Sequence, residues 1–223
     1  MRKLFMTVSF GLCIALVGCG RVRDKSQTVR FEHTTNKYTL LIVADIDLIK
    51  TNSRAFEFIT YAIDSYARDC MSESGQIIIA QLSGNNRPLL YQGSPEQLRK
   101  EMSQPEEFKN YLVAHSEPGR RLCDGLTESL EYTLKSYSVA QGKSATVALV
   151  VSTLNEGTAE TPETEQRFVD MLVKFHRSGA KPAFYFCDQR RMKWIEEQTA
   201  KAGLSWVTLE MDINGRPPLP KFE

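Results

Sequence analysis

Two runs of this chain are apolar at successive positions rather than at alternate ones: Thr39–Asp45 (TLLIVAD) and Ala145–Thr153 (ATVALVVST). A strand buried on one face alternates apolar and polar residues, whereas a strand buried on both faces has no polar side to show. Such strands lie in the middle of a sheet with helices on each face, which selects a doubly wound α/β architecture over a sandwich or a helical bundle. The remainder agrees with that choice. Gln76–Ser83 (QIIIAQLS), Pro88–Gly93 (PLLYQG), Pro182–Asp188 (PAFYFCD) and Leu204–Met211 (LSWVTLEM) read as further strands, with Pro88 pushing its own toward a sheet edge. Between them, Phe56, Ile59, Ile63 and Ala67 recur at helical spacing behind Ser53, a candidate N-cap. Ser94 followed by Pro95 opens another helix, Leu122, Leu126, Leu130 and Leu134 form one stripe, and a long helix stops at Gly179. Strands separated by helices predict a mainly parallel sheet in one domain over residues 38–210. Ligands of such sheets sit beyond the carboxyl ends of the strands, where Asp45, Asp47, Ser152, Thr153 and Asp188 all fall.

The flanks have another character. Arg2 and Lys3 precede an unbroken apolar run from Leu4 to Val17, the pattern of a secretory signal peptide over residues 1–18 and too short for a bilayer span. The run ends in LVGC, which resembles the lipobox of bacterial lipoproteins. That resemblance implies that Cys19 is acylated and becomes the first residue of the mature chain, anchored to a membrane by its lipid. Gly20 after the cysteine implies an outer-membrane location facing the periplasm in a Gram-negative host. Residues 19–37 then form a polar tether, and residues 211–223, with NGRPPLPKFE, a proline-rich extended tail. Setting Cys13 and Cys19 aside leaves Cys70, Cys123 and Cys187, an odd number that allows one disulfide in an envelope compartment or, the blander expectation, buried single thiols.

Several chemistries lose support at this level. A net charge of +1 offers no basic stripe for nucleic acid. No G-x-G-x-x-G follows the first strand, GKS at Gly142–Ser144 precedes a strand instead of following one, and neither a G-x-S-x-G elbow nor an H-E-x-x-H helix occurs. His33, His115 and His176 are scattered without ligand spacing.

Three segments together resemble the von Willebrand factor A domain, over nearly the whole of residues 38–210. That family ends its first strand in D-x-S-x-S, opens a later helix with a glycine-threonine turn, and ends its fourth strand in T-D-G. The three build a metal-ion-dependent adhesion site for magnesium or a related ion. Here the first motif reads DIDLI, with Asp45 in place, Asp47 for the first serine and Ile49 for the second. PGRRLCDGLTESL is similar to the family's G-G-T-x-L-x-x-G-L segment, with Arg120 where the threonine belongs. ALVVSTLNEG is similar to V-V-V-L-T-D-G, with Ser152 for the threonine and Thr153 for the aspartate.

The resemblance therefore implies a degenerate metal site at Asp45, Asp47, Arg120, Ser152 and Thr153, needing no cofactor and binding magnesium weakly at most. Two neighbouring carboxylates repel unless a positive group joins them. Arg120, or its neighbour Arg121, is a candidate internal substitute for the metal, since a guanidinium neutralises carboxylates in fixed geometry; the alternative is that both arginines are solvated at a helix start. The implied function is non-catalytic: binding another envelope protein through the loops at the carboxyl edge. The loop with Asn155, Glu156 and Glu160 is the place to look for that contact, although most acidic loops are simply solvated. DIDLI is also one residue from the D-x-D-x-[TV] motif of haloacid-dehalogenase-type phosphatases. On that reading Asp45 attacks phosphorus and Asp47 is the acid and base, with Ser152 or Thr153 on the phosphate and Asp188 and magnesium beside them.

Overall fold

Thr39–Ala44 carries an apolar side chain on each face of its strand, and the packing uses both. The computed structural model describes residues 36–69, 74–82, 84, 87–117, 121–140, 142, 144–155, 160–204, 208–210 and 216–222, all within one compact unit, His33–Glu223. The elements are β1 (Tyr38–Ala44), α1 (Ile46–Thr51), α2 (Ser53–Asp69), β2 (Gly75–Gln81), β3 (Leu89–Gly93), α3 (Pro95–Glu101) and α4 (Pro105–Ala114). They continue with α5 (Leu122–Lys135), α6 (Tyr137–Ala140), β4 (Ala145–Val151), α7 (Pro162–Arg177), β5 (Lys181–Tyr185), α8 (Gln189–Lys201) and β6 (Thr208–Glu210). The sheet order is β3-β2-β1-β4-β5-β6, parallel throughout except for β3, which runs antiparallel to β2 at one edge. This is a doubly wound, mainly parallel α/β fold.

The even-numbered residues of β1, Leu40, Ile42 and Ala44, meet Phe56, Ile59 and Phe108 of α2 and α4 in one core layer. The odd-numbered Leu41 and Val43 meet Leu126, Phe168 and Ile195 of α5, α7 and α8 in the other. Period-two alternation along one strand thus feeds two helical layers. Leu122, Leu126 and Leu130 are buried along α5 and Leu134 packs at its rim.

Helix punctuation follows local chemistry. Ser94 and Thr161 each form a reciprocal capping box, with proline at the first helical position. Gly179 takes φ 85° just past α7 and donates to the His176 carbonyl, a left-handed stop that a side chain would strain. Ser53 is the first residue of α2 instead of its cap; Asn52 does that work, its Oδ1 accepting from the Arg54 amide at 3.0 Å. Three helices, α1, α4 and the four-residue α6, occupy stretches where the pattern gave none.

Among the described residues no helix is long and apolar enough to cross a membrane. The signal-like run, Cys19 and most of the tether lie outside the described residues, as does Cys70. Cys123 and Cys187 are buried free thiols, the blander of the two readings that the odd number left open.

Candidate functional site at the carboxyl edge of the sheet

Three strand ends are stitched together here by their main chains. The Asp45 amide donates to the Val151 carbonyl at 2.9 Å, the Ser152 amide to the Tyr185 carbonyl at 3.2 Å, and the Asp188 amide to the Thr153 carbonyl at 2.9 Å. The ends of β1, β4 and β5 therefore form one floor. Two residues without glycine's freedom sit in left-handed backbone at its margin: Leu154, φ 57°, and Phe186, φ 65°. Such conformations cost roughly 1–3 kcal/mol each and persist only where surroundings impose them. At Leu154 the cause is visible, since its amide donates to Ser152 Oγ at 3.0 Å and its side chain is buried.

Asp45 is the buried acid of the floor, 8% exposed. Its Oδ1 accepts from the amides of Asp47 at 3.1 Å and Leu48 at 3.2 Å, making Asp45 the N-cap of α1. Its Oδ2 accepts from Ser152 Oγ at 3.0 Å. A carboxylate that receives three such donors is satisfied without a cation. Asp47 lies on the first turn of α1 and points elsewhere: its carboxylate pairs with Lys50 Nζ at 2.8 Å, which also reaches Ser116 Oγ at 3.1 Å. The chain thus solves the repulsion between its neighbouring aspartates by aiming them in different directions. Arg120, the proposed counter-charge, lies outside the described residues; Arg121 is the N-cap residue of α5 and gives it no side-chain bond.

The loops beyond the floor are tied to helix starts. Asp188 caps α8, its Oδ1 accepting from the Arg190 amide at 2.8 Å. That amide, with the Asn155 side chain next, holds the Asp188 carboxyl below the usual range. Thr153 Oγ1 accepts from the Asn155 amide at 3.3 Å, while Asn155 itself is exposed. Glu156 lies outside the described residues. Glu160 does not reach outward: its Oε1 accepts from the Cys123 amide at 3.0 Å and its Oε2 from Thr164 Oγ1 at 2.8 Å. An acid on the bare N-terminus of α5 meets the orphan amides and the positive end of the helix dipole, which makes Glu160 a link between α5 and α7.

Pattern reading overlooked Gln81, at the end of β2 and buried. Its Nε2 donates to the carbonyls of Arg87 at 2.6 Å and His115 at 3.0 Å, and its Oε1 accepts from the Glu117 amide at 2.9 Å. It fixes two further loops beside the floor. A glutamine closing the apolar run QIIIAQ was the available signal.

A hard divalent ion at Asp45 would ask for a ring of oxygen ligands. Ser152 and Thr153 offer hydroxyls, but Ile49 is fully buried in the core and Lys50 brings an ammonium to Asp47. Among the described residues no group of three or more histidine, cysteine, aspartate or glutamate side chains could hold a metal. The described residues fit a cation poorly. Phosphoryl chemistry fits no better, because Asp45 has its oxygens engaged and Asp47 faces Lys50, while Asp188 caps a helix.

No model of a known protein family matches the chain. No curated protein matches it either. Among solved structures it is similar to the open conformation of the pilus adhesin SpaC from Lactobacillus rhamnosus GG, at 9% identity and a TM-score of 0.51 over 80% of this chain. The chain spans 28% of that adhesin's length. The N-terminal domain of TFIIH p34 aligns over 81% of this chain and 92% of its own, at 11% identity and a TM-score of 0.47. The likeness to the adhesin concerns fold and agrees with the strand order: the chain carries a doubly wound α/β domain.

Proposed function

We propose that this chain is an envelope lipoprotein, held to a membrane through acylated Cys19, that displays a von Willebrand factor A-like domain as a metal-independent protein-binding module. The observation that carries the reading is the state of Asp45. The acid that matches the family's leading metal ligand accepts from two amides and a serine hydroxyl, so it organises the loops by itself. The loops are then preorganised for a partner without an ion, which lowers the ordering cost of binding. The partner is another envelope protein, met at exposed Asn155 on the β4–α7 connection. In a Gram-negative host the domain faces the periplasm from the outer membrane.

The test is photo-crosslinking in living cells, with a photoreactive amino acid placed at Asn155 or, as control, at exposed Glu57 on α2. The reading expects one discrete adduct from Asn155, retained in chelator and absent from Glu57, with labelled palmitate incorporated by the wild type and lost in Cys19→Ser. Adducts that need magnesium would contradict it, as would magnesium-dependent release of phosphate abolished by Asp45→Asn.

A further inference from the structure

Residues 216–222 have neither helix nor strand, yet they lie against the domain. Tyr61 donates its hydroxyl to the Pro217 carbonyl at 3.3 Å, Tyr185 to that of Pro218 at 3.1 Å, and Tyr66 to that of Pro220 at 2.6 Å. Phe222 closes the segment with its ring 5.1 Å from that of Tyr38 and 5.0 Å from that of Tyr66. At the other end the Arg216 guanidinium lies 5.5 Å from the centre of the Tyr61 ring. Tyr61 and Tyr66 follow one another along α2 and Tyr185 reaches across from β5. The segment therefore runs beside α2, in the same direction, through a groove walled by tyrosines.

The chemistry suits proline. A proline has no amide hydrogen, so Pro217, Pro218 and Pro220 present only their carbonyls, and a tyrosine hydroxyl supplies the donor that each of these carbonyls needs. Its fixed φ means that little backbone freedom is lost on docking. Exposure along the segment also has the character of a docked ligand instead of a core strand: Arg216, Pro218 and Lys221 are exposed while Pro217, Leu219, Pro220 and Phe222 are half-buried.

We infer that the groove between α2 and β5 is a recognition site for a proline-rich peptide, filled in cis by the chain's own residues 216–222. The ligand class is an extended segment with the chemistry of RPPLPKF, its prolines meeting the hydroxyls and a terminal aromatic ring meeting Tyr38. A short connection holds the cis segment at an effective concentration in the millimolar range, so an intact chain yields the groove only to a ligand tighter than its own tail. This goes beyond the binding role proposed for the carboxyl edge and shares only Tyr185 with that floor, whose carbonyl accepts from the Ser152 amide there while its hydroxyl meets Pro218 here.

The test keeps the full chain, with a protease recognition sequence inserted after Ile213 and cleaved once the protein has folded. The probe is the fluorescently labelled peptide NGRPPLPKFE, followed by anisotropy, with circular dichroism alongside. The inference expects the cleaved protein to keep its fold and take up the peptide saturably, and the uncleaved protein to bind at least tenfold more weakly. Tyr66→Phe is expected to weaken uptake by about fivefold, the worth of one hydrogen bond. Replacing the three prolines of the peptide by alanine is expected to weaken it further. Loss of fold on cleavage would overturn the inference, since the segment would then be a structural layer. So would a folded, cleaved protein that takes up no peptide or does not distinguish it from the alanine version.

Discussion

Asp45 and Asp47 are chemically identical and one residue apart, and the fold gives them opposite duties. Asp45 is buried and bonded to two amides and Ser152, whereas Asp47 forms a half-exposed pair with Lys50. Removing a buried acceptor strands its donors, while exposed ion pairs contribute little. Asp45→Ala is therefore expected to cost about 2–3 kcal/mol of stability and Asp47→Ala under ~0.5, both read from urea midpoints. Equal costs would contradict the division of labour. The thiols make a second case. Burial pushes Cys123 and Cys187 up to about 12, with Glu160 adding to the effect at Cys123 and Asp188 at Cys187. At pH 8 both stay protonated and enclosed, so Ellman's reagent should find at least two more thiols in the urea-unfolded chain than in the native one. A smaller difference would mean that one of them is accessible.

At the scale of elements, β1 and β4 were legible because strands buried on both faces leave no ambiguity of period. Likewise the α3 start was legible, because serine before proline has one common use, whereas the same signal at Thr161–Pro162, which opens α7, was hidden in an acidic stretch that read as loop. The short α1 was not, since IDLIKT is too brief to show a period and its start depends on a carboxylate cap that reads equally as a metal motif. The α4 segment, PEEFKNYLVA, buries only Phe108 and Leu112, a stripe too thin to stand out. Gly125 lies inside α5, where a glycine ordinarily weakens a helix. Its reason is contact: a Cβ there would fall on the Leu82 carbonyl oxygen, so α5 can press against the end of β2 only through glycine. Gly125→Ala should therefore destabilise by about 1–3 kcal/mol by thermal or urea unfolding, despite alanine's better helix propensity. A neutral or stabilising outcome would show that α5 can move away freely.

Over the whole molecule, the fold class and the gathering of the candidate residues at the carboxyl edge followed from the order of elements, because ligands of parallel sheets gather where helices begin and strands end. The side-chain geometry at that edge did not follow. Sequence places Asp45, Asp47, Ser152, Thr153, Asn155 and Glu160 on the same rim, but only tertiary packing aims Asp45 at Ser152, Asp47 at Lys50 and Glu160 at the start of α5. The proline-rich tail likewise read as an extended appendage, since its partners Tyr61, Tyr66 and Tyr185 lie far away in the chain.

The central claim is that the carboxyl-edge loops are organised by protein groups and not by a cation. Isothermal titration of magnesium and of manganese into the soluble chain of residues 20–223 tests it most directly. The account predicts no saturable heat up to millimolar ion, and the same unfolding midpoint with and without chelator. Micromolar binding that disappears in Asp45→Asn would contradict it.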